Sequence, residues 1–302
     1  MDLNTTIKKI KSLEIQGATN ITKAALAALN SHSQKIKVSN SEQFFRELSR
    51  AKTELSTSRP TEPEMRNMLS QVYSQLKSSN TREVNQLRRE TKKLCEDALR
   101  VRSEAMKKIT EYGSNLVKNN LVVYTHCHSS SVTSILIEAH KKKKFIVHNT
   151  ETRPRYQGRL TAAELAKANI PVIHFVDSAM RLALKKADMV MIGADSVTTT
   201  KVINKIGSEL VAEVAKRYDI PVYVCASSWK FSPETALGYD EVIEERQSKE
   251  VWDKAPKGVK IMNYAFEKID FNNITAIISD LGVLEPEVFV QEVRKKYSWA
   301  KT

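Results

Sequence analysis

The chain has 302 residues, of which 41% are hydrophobic and 27% charged, and its formal net charge at pH 7 is +13. This composition is typical of globular proteins and excludes collagen-like, mucin-like and largely disordered chains. No apolar stretch approaches the ~18 residues of a membrane helix, and we expect no signal peptide in the polar residues 1–16. Cys95, Cys127 and Cys225 are too few and too widely spaced for a disulfide framework, so we expect a cytoplasmic protein.

The positive charge is concentrated in the N-terminal part. Residues 1–118 hold 22 Lys and Arg against 13 Asp and Glu, which gives +9, whereas the remainder holds 26 against 22, which gives +4. A basic region can bind nucleic acid, phosphorylated small molecules or an acidic protein face. Because these charges alternate with acids and no aromatic residues are interleaved, a solvated helix face is the better interpretation. Nucleic acid is therefore not an expected partner.

Residues 1–118 predict a helical N-terminal domain. Only two of the eight glycines occur before residue 158, and apolar residues recur every three or four positions. Helices are expected over residues 21–29, 42–53, 65–77 and 81–118. The last of these should present one apolar face made of Val84, Leu87, Thr91, Leu94, Ala98, Val101, Ala105 and Ile109.

Residues 119–302 predict an α/β domain with a Rossmann-like, doubly wound, mainly parallel sheet. Short β-rich runs alternate with helical segments, which is typical of parallel βαβ units. We expect strands at residues 121–124, 145–148, 172–176, 189–192, 222–225 and 274–279. The helices between them are expected at residues 130–140, 161–168, 179–186, 203–217 and 286–297, with Thr161 and Glu164 forming a capping box at one helix start.

Three loops that follow predicted strands carry unusual polar residues. In a parallel sheet such loops open on the same edge, which is where ligands bind in this fold. No G-x-G-x-x-G or G-x-x-x-x-G-K-[ST] motif occurs, so the usual nucleotide-binding interpretations lose support. The three loops are Thr125-His126-Cys127-His128-Ser129-Ser130-Ser131, Glu151-Thr152-Arg153-Pro154-Arg155-Tyr156-Gln157-Gly158-Arg159 and Gly193-Ala194-Asp195-Ser196.

Cys127 is the first candidate for chemistry. A lone cysteine is usually an inert core residue, but this one follows a strand and precedes a Ser-rich helix whose dipole would stabilise a thiolate. It could then act as a nucleophile or as a base. A zinc site with His126 and His128 is disfavoured, because adjacent residues do not easily converge on one ion, and no metal is expected.

Asp195 is the second candidate. An aspartate in a Gly-Ala-Asp-Ser turn is often only a cap or turn residue. Among apolar residues its pKa would rise, and it could then hold a proton to donate. A thiolate base and a carboxylic acid on one sheet edge are suited to moving protons between carbons 1 and 2 of a sugar.

Basic residues near the same loops are candidates for holding phosphate, together with helix N-termini. Each of them taken alone is more often a surface charge, and only their joint placement is informative. Lys205 is expected at a helix start and Lys230 after a strand. The full set is Arg59, Arg153, Arg155, Arg159, Lys205 and Lys230.

At these residues the sequence resembles the family that joins ribose-1,5-bisphosphate isomerase, methylthioribose-1-phosphate isomerase and the alpha, beta and delta regulatory subunits of eukaryotic initiation factor 2B. The likeness covers nearly the whole chain. Besides the three loops, the matching segments are Gln16-Gly17-Ala18-Thr19, Ser58-Arg59-Pro60-Thr61, Ile203-Asn204-Lys205-Ile206-Gly207 and Lys230-Phe231-Ser232-Pro233-Glu234-Thr235.

Within this family the ribose-1,5-bisphosphate isomerases of archaea resemble the chain most closely. The resemblance implies that ribose 1,5-bisphosphate is converted to ribulose 1,5-bisphosphate in AMP salvage, with Cys127 as the base and Asp195 as the acid. It implies no metal or redox cofactor, AMP as the candidate allosteric activator, and a homo-oligomer, either a dimer or a hexamer. It also implies substrate binding by Gln16, Gly17, Ala18, Thr19, Arg59, Arg153, Asn204, Lys205 and Lys230.

Two alternatives remain open from the sequence. One is a non-catalytic regulatory subunit that contacts initiation factor 2, which the segment Asp280-Leu281-Gly282 favours. The other is methylthioribose-1-phosphate isomerase, which would need an apolar niche in place of a second phosphate clamp. The presence of both Cys127 and Asp195 favours an enzyme, and the arginine-rich loop favours the bisphosphate.

Overall fold

A computed structural model describes residues 2–300 of the chain. Over this range the chain forms two compact units, of which the first ends at Glu104 and the second begins at Ala105. The domain boundary after residue 118, which the change of hydrophobic period suggests, stays a prediction.

The first unit is helical because its segments bury one apolar stripe each. Asp2 and Asn40 cap two of the helices, since their side-chain oxygens accept hydrogen bonds from the backbone N–H groups of Thr5 and Gln43. The helices are α1 (Leu3–Lys11), α2 (Ala18–Lys35), α3 (Ser41–Ser56), α4 (Pro63–Ser78) and α5 (Val84–Leu116), the last of which continues past Glu104.

The prediction of a helical N-terminal part is confirmed, with two local errors. The sequence reading missed α1, and Val101 is exposed although it was assigned to the apolar face of α5. From Val84 to Val101 the assigned positions alternate in spacings of three and four residues, which is a shorter period than that of an α-helix. An α-helix repeats every 3.6, so over several turns the assigned face rotates away from the side that is buried.

The second unit contains two sheets. Its strands are β1 (Val122–Thr125), β2 (Ile146–Thr150), β3 (Val172–Phe175), β4 (Met189–Gly193), β5 (Ser196–Val197), β6 (Lys201–Lys205), β7 (Val222–Cys225), β8 (Phe266–Asp270), β9 (Ala276–Ser279) and β10 (Gly282–Leu284). Seven of them form a sheet in the order β10-β9-β7-β4-β1-β2-β3, in which the β9–β10 pair alone is antiparallel. The predicted mainly parallel α/β fold is confirmed.

Helices cover both faces of this sheet, because successive strand residues point to opposite sides. Tyr124 and Val190 belong to a core that includes residues of α8 (Met180–Leu184), α9 (Ser208–Arg217) and α10 (Pro286–Lys296). Val123 and Met191 belong to a second core with residues of α6 (Ser130–His140) and α7 (Gln157–Lys167). The strand order reverses between β1 and β4, and this pair is therefore the topological switch point where ligands bind in such folds.

The smaller sheet corrects one sequence-based assignment. Residues 203–217 were expected to form a single helix, but β6 ends at Lys205 and α9 begins only at Ser208. Val202 and Ile203 are buried β-branched residues, and β6 lies between β5 and β8 in an antiparallel sheet. Among residues 2–300 no helix is both long and apolar enough to span a membrane.

Candidate active site

Cys127 and Asp195 lie at the switch point. Cys127 follows the end of β1 by two residues, and Asp195 follows the end of β4 by two residues. The two strands are paired in parallel, with Val123 opposite Met189 and Tyr124 opposite Val190. Since paired strands lie about 4.8 Å apart, the fold brings these two chain segments to the same edge of the sheet.

Two threonine side chains fix the backbone of Cys127. The Cys127 N–H donates to Thr152 Oγ1 across 2.9 Å, and Thr161 Oγ1 donates to the Cys127 carbonyl oxygen across 2.8 Å. These bonds hold a non-glycine residue at φ 66°, a left-handed conformation that costs free energy and that is common at functional sites. Cys127 as a whole residue is half-buried.

Thr161 corrects a second sequence-based assignment. The capping box at Thr161 and Glu164 was expected to start a helix, but α7 already begins at Gln157, so Thr161 lies inside the helix with its hydroxyl turned to Cys127. Gly158 permits the earlier start, because a Cβ there would lie 1.7 Å from the carbonyl oxygen of Thr150.

Asp177 anchors the loop that carries Thr152. Its two carboxylate oxygens accept hydrogen bonds from the backbone N–H groups of Thr152, at 2.8 Å, and Arg153, at 2.7 Å. Asp177 thus acts on Cys127 through Thr152. Nothing in the sequence singled out Asp177, because it stands in a short connection after β3 without a recognisable motif.

His126 is a structural residue beside the thiol. Its ring lies between Thr150 Oγ1, at 2.6 Å from Nδ1, and the carbonyl oxygen of Ile206, at 2.9 Å from Nε2. Burial lowers the pKa of His126 below its ordinary value, so the ring is neutral and donates from Nε2 to Ile206. The neighbouring His128 instead contacts Thr161 Oγ1 through Nδ1, across 3.1 Å.

The electrostatics of Cys127 differ from the sequence-based expectation of a stabilised thiolate. Burial, with a smaller contribution from the charge of Asp195, raises the pKa of the thiol, whereas Lys205, the His128 backbone N–H and Arg246 lower it, and the net result is a pKa of about 11. The helix dipole does not dominate, because α6 begins at Ser130 and its N-cap is Ser129, beyond Cys127. The folded site therefore favours the thiol over the thiolate.

Asp195 shares this environment. Its backbone N–H donates to the carbonyl oxygen of Ile203 across 2.8 Å, which ties the end of β4 to β6. Its negative charge raises the pKa of Lys205 as well as that of Cys127. Asp195, Lys205 and Cys127 thus lie within electrostatic range of one another, and the role of Asp195 as the acid stays a prediction.

Asn204 and Lys205 lie at the end of β6 and not at a helix start. Both are buried, and Asn204 Nδ2 donates to Ser208 Oγ across 2.9 Å. Burial lowers the pKa of Lys205, with Cys127 and Asp195 opposing that shift. Gly207 follows at φ 99°, where a Cβ would lie 2.9 Å from His126 Nε2, so glycine allows this segment to reach the histidine.

Lys230 reaches the same edge from the loop after β7. Its Nζ donates to the carbonyl oxygen of Ala194, the residue before Asp195. The buried Asp280 holds this loop, because its carboxylate accepts from the Ser228 N–H at 2.7 Å and from Ser228 Oγ at 2.8 Å. The segment that resembles the regulatory subunits therefore supports the Lys230 loop in this structure.

The arginine-rich loop is engaged in contacts within the protein. Arg153 donates to the Tyr156 hydroxyl and to the Val251 carbonyl oxygen, at 2.7 and 3.0 Å. Arg155 contacts Glu250, and Arg159 contacts Glu151, in both cases across 2.9 Å. A substrate contact by Arg153 stays a prediction.

The other predicted contacts belong to the first unit. Gly17, at φ 78°, precedes α2 as its N-cap, and Gln16 Nε2 donates to the Leu13 carbonyl oxygen at 2.5 Å. Ala18 and Thr19 open α2, and Thr19 Oγ1 accepts a hydrogen bond from Arg102. Arg59 is buried, with its Nε 3.7 Å from Glu62 Oε1.

Arg246 is a residue of the site that sequence reasoning missed. Its side chain is 7% exposed, and its charge lowers the pKa of both Cys127 and Lys205. It follows Glu244 and Glu245 in a segment without a recognisable motif, so the sequence held no signal for it. Within residues 2–300 no cluster of three or more His, Cys, Asp or Glu side chains is placed to hold a metal ion.

The fold and the switch-point residues define an α/β protein with a cysteine and an aspartate poised at one sheet edge, and comparisons with known proteins specify the family. The initiation factor 2 subunit family (IF-2B) matches residues 14–286. The chain belongs to this family.

Relatives of known name agree with that assignment. The chain is 35% identical to a ribose 1,5-bisphosphate isomerase of Thermococcus kodakarensis, over 97% of this chain and 94% of the relative. It is 36% identical to a protein of the same name from Pyrococcus furiosus, over 97% and 93%. A crystal structure of the Pyrococcus horikoshii OT3 translation initiation factor eIF-2B superposes with a TM-score of 0.81 at 25% identity, covering 94% of this chain and 97% of that one.

Proposed function

We propose that this protein is an aldose–ketose isomerase that converts ribose 1,5-bisphosphate to ribulose 1,5-bisphosphate. The observation that carries the proposal is the placement of Cys127 and Asp195 after two paired strands at the switch point, with Lys205 in electrostatic range of both. Relatives at 35% and 36% identity over nearly the full chain bear the name of this activity. A base and an acid at one edge are the groups that a proton shift between neighbouring carbons requires.

The first half of the reaction breaks the sugar ring. Because the oxygen on carbon 1 is held in a phosphate ester, ring opening cannot release a free aldehyde. The Cys127 thiolate instead takes the proton from carbon 2, and that electron pair forms a double bond between carbons 1 and 2. The bond from carbon 1 to the ring oxygen breaks, and Asp195 gives its proton to that oxygen.

The second half restores both residues. The Asp195 carboxylate takes the proton of the carbon-2 hydroxyl, whose oxygen becomes the carbonyl of the product. The electrons of the double bond then take a proton from the Cys127 thiol at carbon 1. Three protons move and no electron leaves the substrate, so the proposed reaction needs no redox cofactor. Positioned acid and base groups contribute about 10²- to 10⁴-fold to such a rate.

Substrate binding falls to the basic groups around this pair. Lys205 and Asn204 at the end of β6, Lys230 beside Ala194, and Arg153 in the neighbouring loop are the proposed contacts in the second unit. The proposed contacts from the first unit are Arg59 and the segment Gln16, Gly17, Ala18 and Thr19. Holding both phosphates fixes the reacting carbons in place, which removes part of the entropic barrier.

Finer expectations extend the same proposal. We propose AMP as an allosteric activator, a homo-oligomer of two or six copies, and a cytoplasmic location, which three free cysteines suit. Contact with initiation factor 2 is the alternative role. The observation that favoured it, the segment at Asp280, also has a local explanation, because Asp280 binds Ser228.

The test is a substrate comparison with purified protein. Ribose 1,5-bisphosphate and methylthioribose 1-phosphate are each incubated with the full chain, with and without AMP, and the ketose products are measured. We expect turnover of the bisphosphate to exceed that of the methylthio compound by at least about tenfold in kcat/KM. The reverse order would reassign the substrate. No turnover of either, together with stable capture of purified initiation factor 2, would replace the enzyme by the regulatory subunit.

A further inference from the structure

Arg246 is a buried arginine with an unused hydrogen-bond donor. Its side chain is 7% exposed, Nε lies 3.1 Å from Glu244 Oε1, and Nη1 has no hydrogen-bond partner among residues 2–300. A buried N–H without an acceptor costs free energy, and native proteins rarely leave one without a reason. The arginines that the sequence suggested, Arg155 and Arg159, already hold carboxylates.

The backbone places this donor beside the reacting groups. Arg246 N–H donates to the Asn263 carbonyl oxygen at 2.7 Å, and its guanidinium lies over the ring of Phe266, 5.7 Å from the centroid. Phe266 is paired with Lys205 across β8 and β6. The residue after Lys205, Ile206, accepts the hydrogen bond of His126, the neighbour of Cys127.

Resting on the proposed isomerase function, we propose that Arg246 is a substrate-binding residue whose Nη1 donates to the carbon-1 phosphate of ribose 1,5-bisphosphate. A guanidinium is the side chain best matched to phosphate oxygens. Of the two phosphates, the one on carbon 1 is next to the carbons that Cys127 and Asp195 serve. The phosphate oxygen supplies the acceptor that the buried Nη1 lacks, and Lys205 provides a second positive charge nearby.

Steady-state kinetics of Arg246 variants test this proposal. Arg246→Met keeps most of the side-chain volume and removes the donors, while Arg246→Lys keeps the charge without the planar fork. Arg181→Met is the matched control, because Arg181 is an exposed arginine of α8 that contacts Tyr218. We expect Arg246→Met to raise KM for ribose 1,5-bisphosphate about 10- to 100-fold, Arg246→Lys to raise it less, and the control to stay near wild type.

Single-phosphate inhibitors identify which phosphate is bound. Inhibition by ribose 1-phosphate should weaken in Arg246→Met by a factor similar to that of KM, whereas inhibition by ribose 5-phosphate should not change. Weakening of ribose 5-phosphate alone would overturn the carbon-1 assignment. A KM within threefold of wild type in a folded Arg246→Met variant would overturn the whole proposal. If Arg246→Met does not fold, Arg246→Lys takes its place. A KM of Arg246→Lys within threefold of wild type would then overturn the proposal.

A separate measurement distinguishes this proposal from the function on which it rests. If the wild-type protein does not turn over ribose 1,5-bisphosphate, the proposed isomerase fails. Calorimetric titration with inorganic phosphate then tests whether Arg246 binds phosphate, independently of the isomerase activity. Phosphate binding by wild type that is lost in Arg246→Met supports an anion site at Arg246. Equal binding by both proteins, or no binding by wild type, overturns it.

Discussion

The Thr161 hydroxyl donates a hydrogen bond to the carbonyl oxygen of Cys127, across 2.8 Å. The same hydroxyl oxygen lies 3.1 Å from His128 Nδ1 and can accept from it. One side chain of α7 therefore fixes two successive residues of the loop after β1. The left-handed backbone of Cys127 depends on this bond and on the matching bond to Thr152.

Replacing Thr161 tests this support. Thr161→Val removes the hydroxyl at nearly constant volume, so the Cys127 carbonyl oxygen loses this donor. We expect the free energy of unfolding to fall by about 1–2 kcal/mol and kcat to fall more than KM rises, because the thiol is displaced. Thr161→Ser keeps the hydroxyl and should stay near wild type in both. Denaturant unfolding and initial-rate kinetics give the two numbers, and equal kcat in Thr161→Val and Thr161→Ser would refute the positioning role.

The raised pKa of Cys127 predicts the pH dependence of thiolate formation. The base is the thiolate, and the pKa of the thiol is about 11. Below that pH we expect the rate of Cys127 alkylation by iodoacetamide to rise about tenfold per pH unit, because the thiolate is the nucleophile. Lys205→Met should move this rise to higher pH, since Lys205 lowers the pKa of Cys127. Cys127→Ser gives the background rate, and an alkylation rate of Cys127 that reaches its plateau below pH 8 would contradict the raised pKa.

The hydrogen bonds of Asp280 to Ser228 predict that Asp280 helps to position Lys230. In Asp280→Ala the buried N–H of Ser228 loses its acceptor and the hydroxyl of Ser228 keeps only Tyr297, so the free energy of unfolding should fall by about 1–3 kcal/mol. The loop that carries Lys230 loosens, and KM should rise with a smaller change in kcat. Asp280→Glu retains a carboxylate, so its KM should lie between those of wild type and Asp280→Ala. A purely structural defect would not show this partial return toward the wild-type KM. Asp253→Ala, at an exposed aspartate, is the control. An unchanged KM in Asp280→Ala would separate this segment from substrate binding.

The lowered pKa of the buried His126 predicts that the protein loses stability in mild acid. Burial lowers its pKa in the folded protein below 6.5, so the unfolded chain binds a proton there that the folded protein excludes. Stability from this group is present above pH 6.5 and falls as the pH drops from about 6.5 toward the lowered pKa. We expect the unfolding free energy of wild type to decline more steeply from pH 7.5 to 5 than that of His126→Gln. His32→Gln should keep the wild-type slope, and identical slopes in wild type and His126→Gln would contradict the account.

Hydrophobic period was sufficient to predict the order of the main elements. The strands β1, β2, β4 and β7 are short runs in which most residues are buried. Short apolar runs of this kind are recognisable without long-range information. β6 was mistaken for the start of a helix, because its pairing with β5 and β8 depends on residues 196–197 and 266–270, which lie elsewhere in the chain. Edges and registers of this kind are set by tertiary contacts.

In the site, too, some residues were predictable from the sequence and others depend on tertiary contacts. The position of Cys127 and Asp195 at one sheet edge was predictable, because each follows a strand and the sheet brings such loops together. Asp177 and Arg246 were not, because they act through burial and through hydrogen bonds to distant backbone groups, such as those of Thr152 and Asn263. The thiolate expected at Cys127 was wrong for a related reason. Desolvation, which only the folded structure reveals, outweighs the helix dipole there.

The most direct test of the central claim follows the hydrogen on carbon 2. Ribose 1,5-bisphosphate carrying deuterium at carbon 2 is incubated with wild type, Cys127→Ser and Asp195→Asn, and the ribulose 1,5-bisphosphate formed is analysed by mass spectrometry and NMR. The account predicts turnover by wild type with a primary isotope effect, deuterium at carbon 1 or lost to water, and turnover reduced at least about 10³-fold in each variant. Undiminished turnover in Cys127→Ser, or no conversion by the folded wild-type protein, would contradict it.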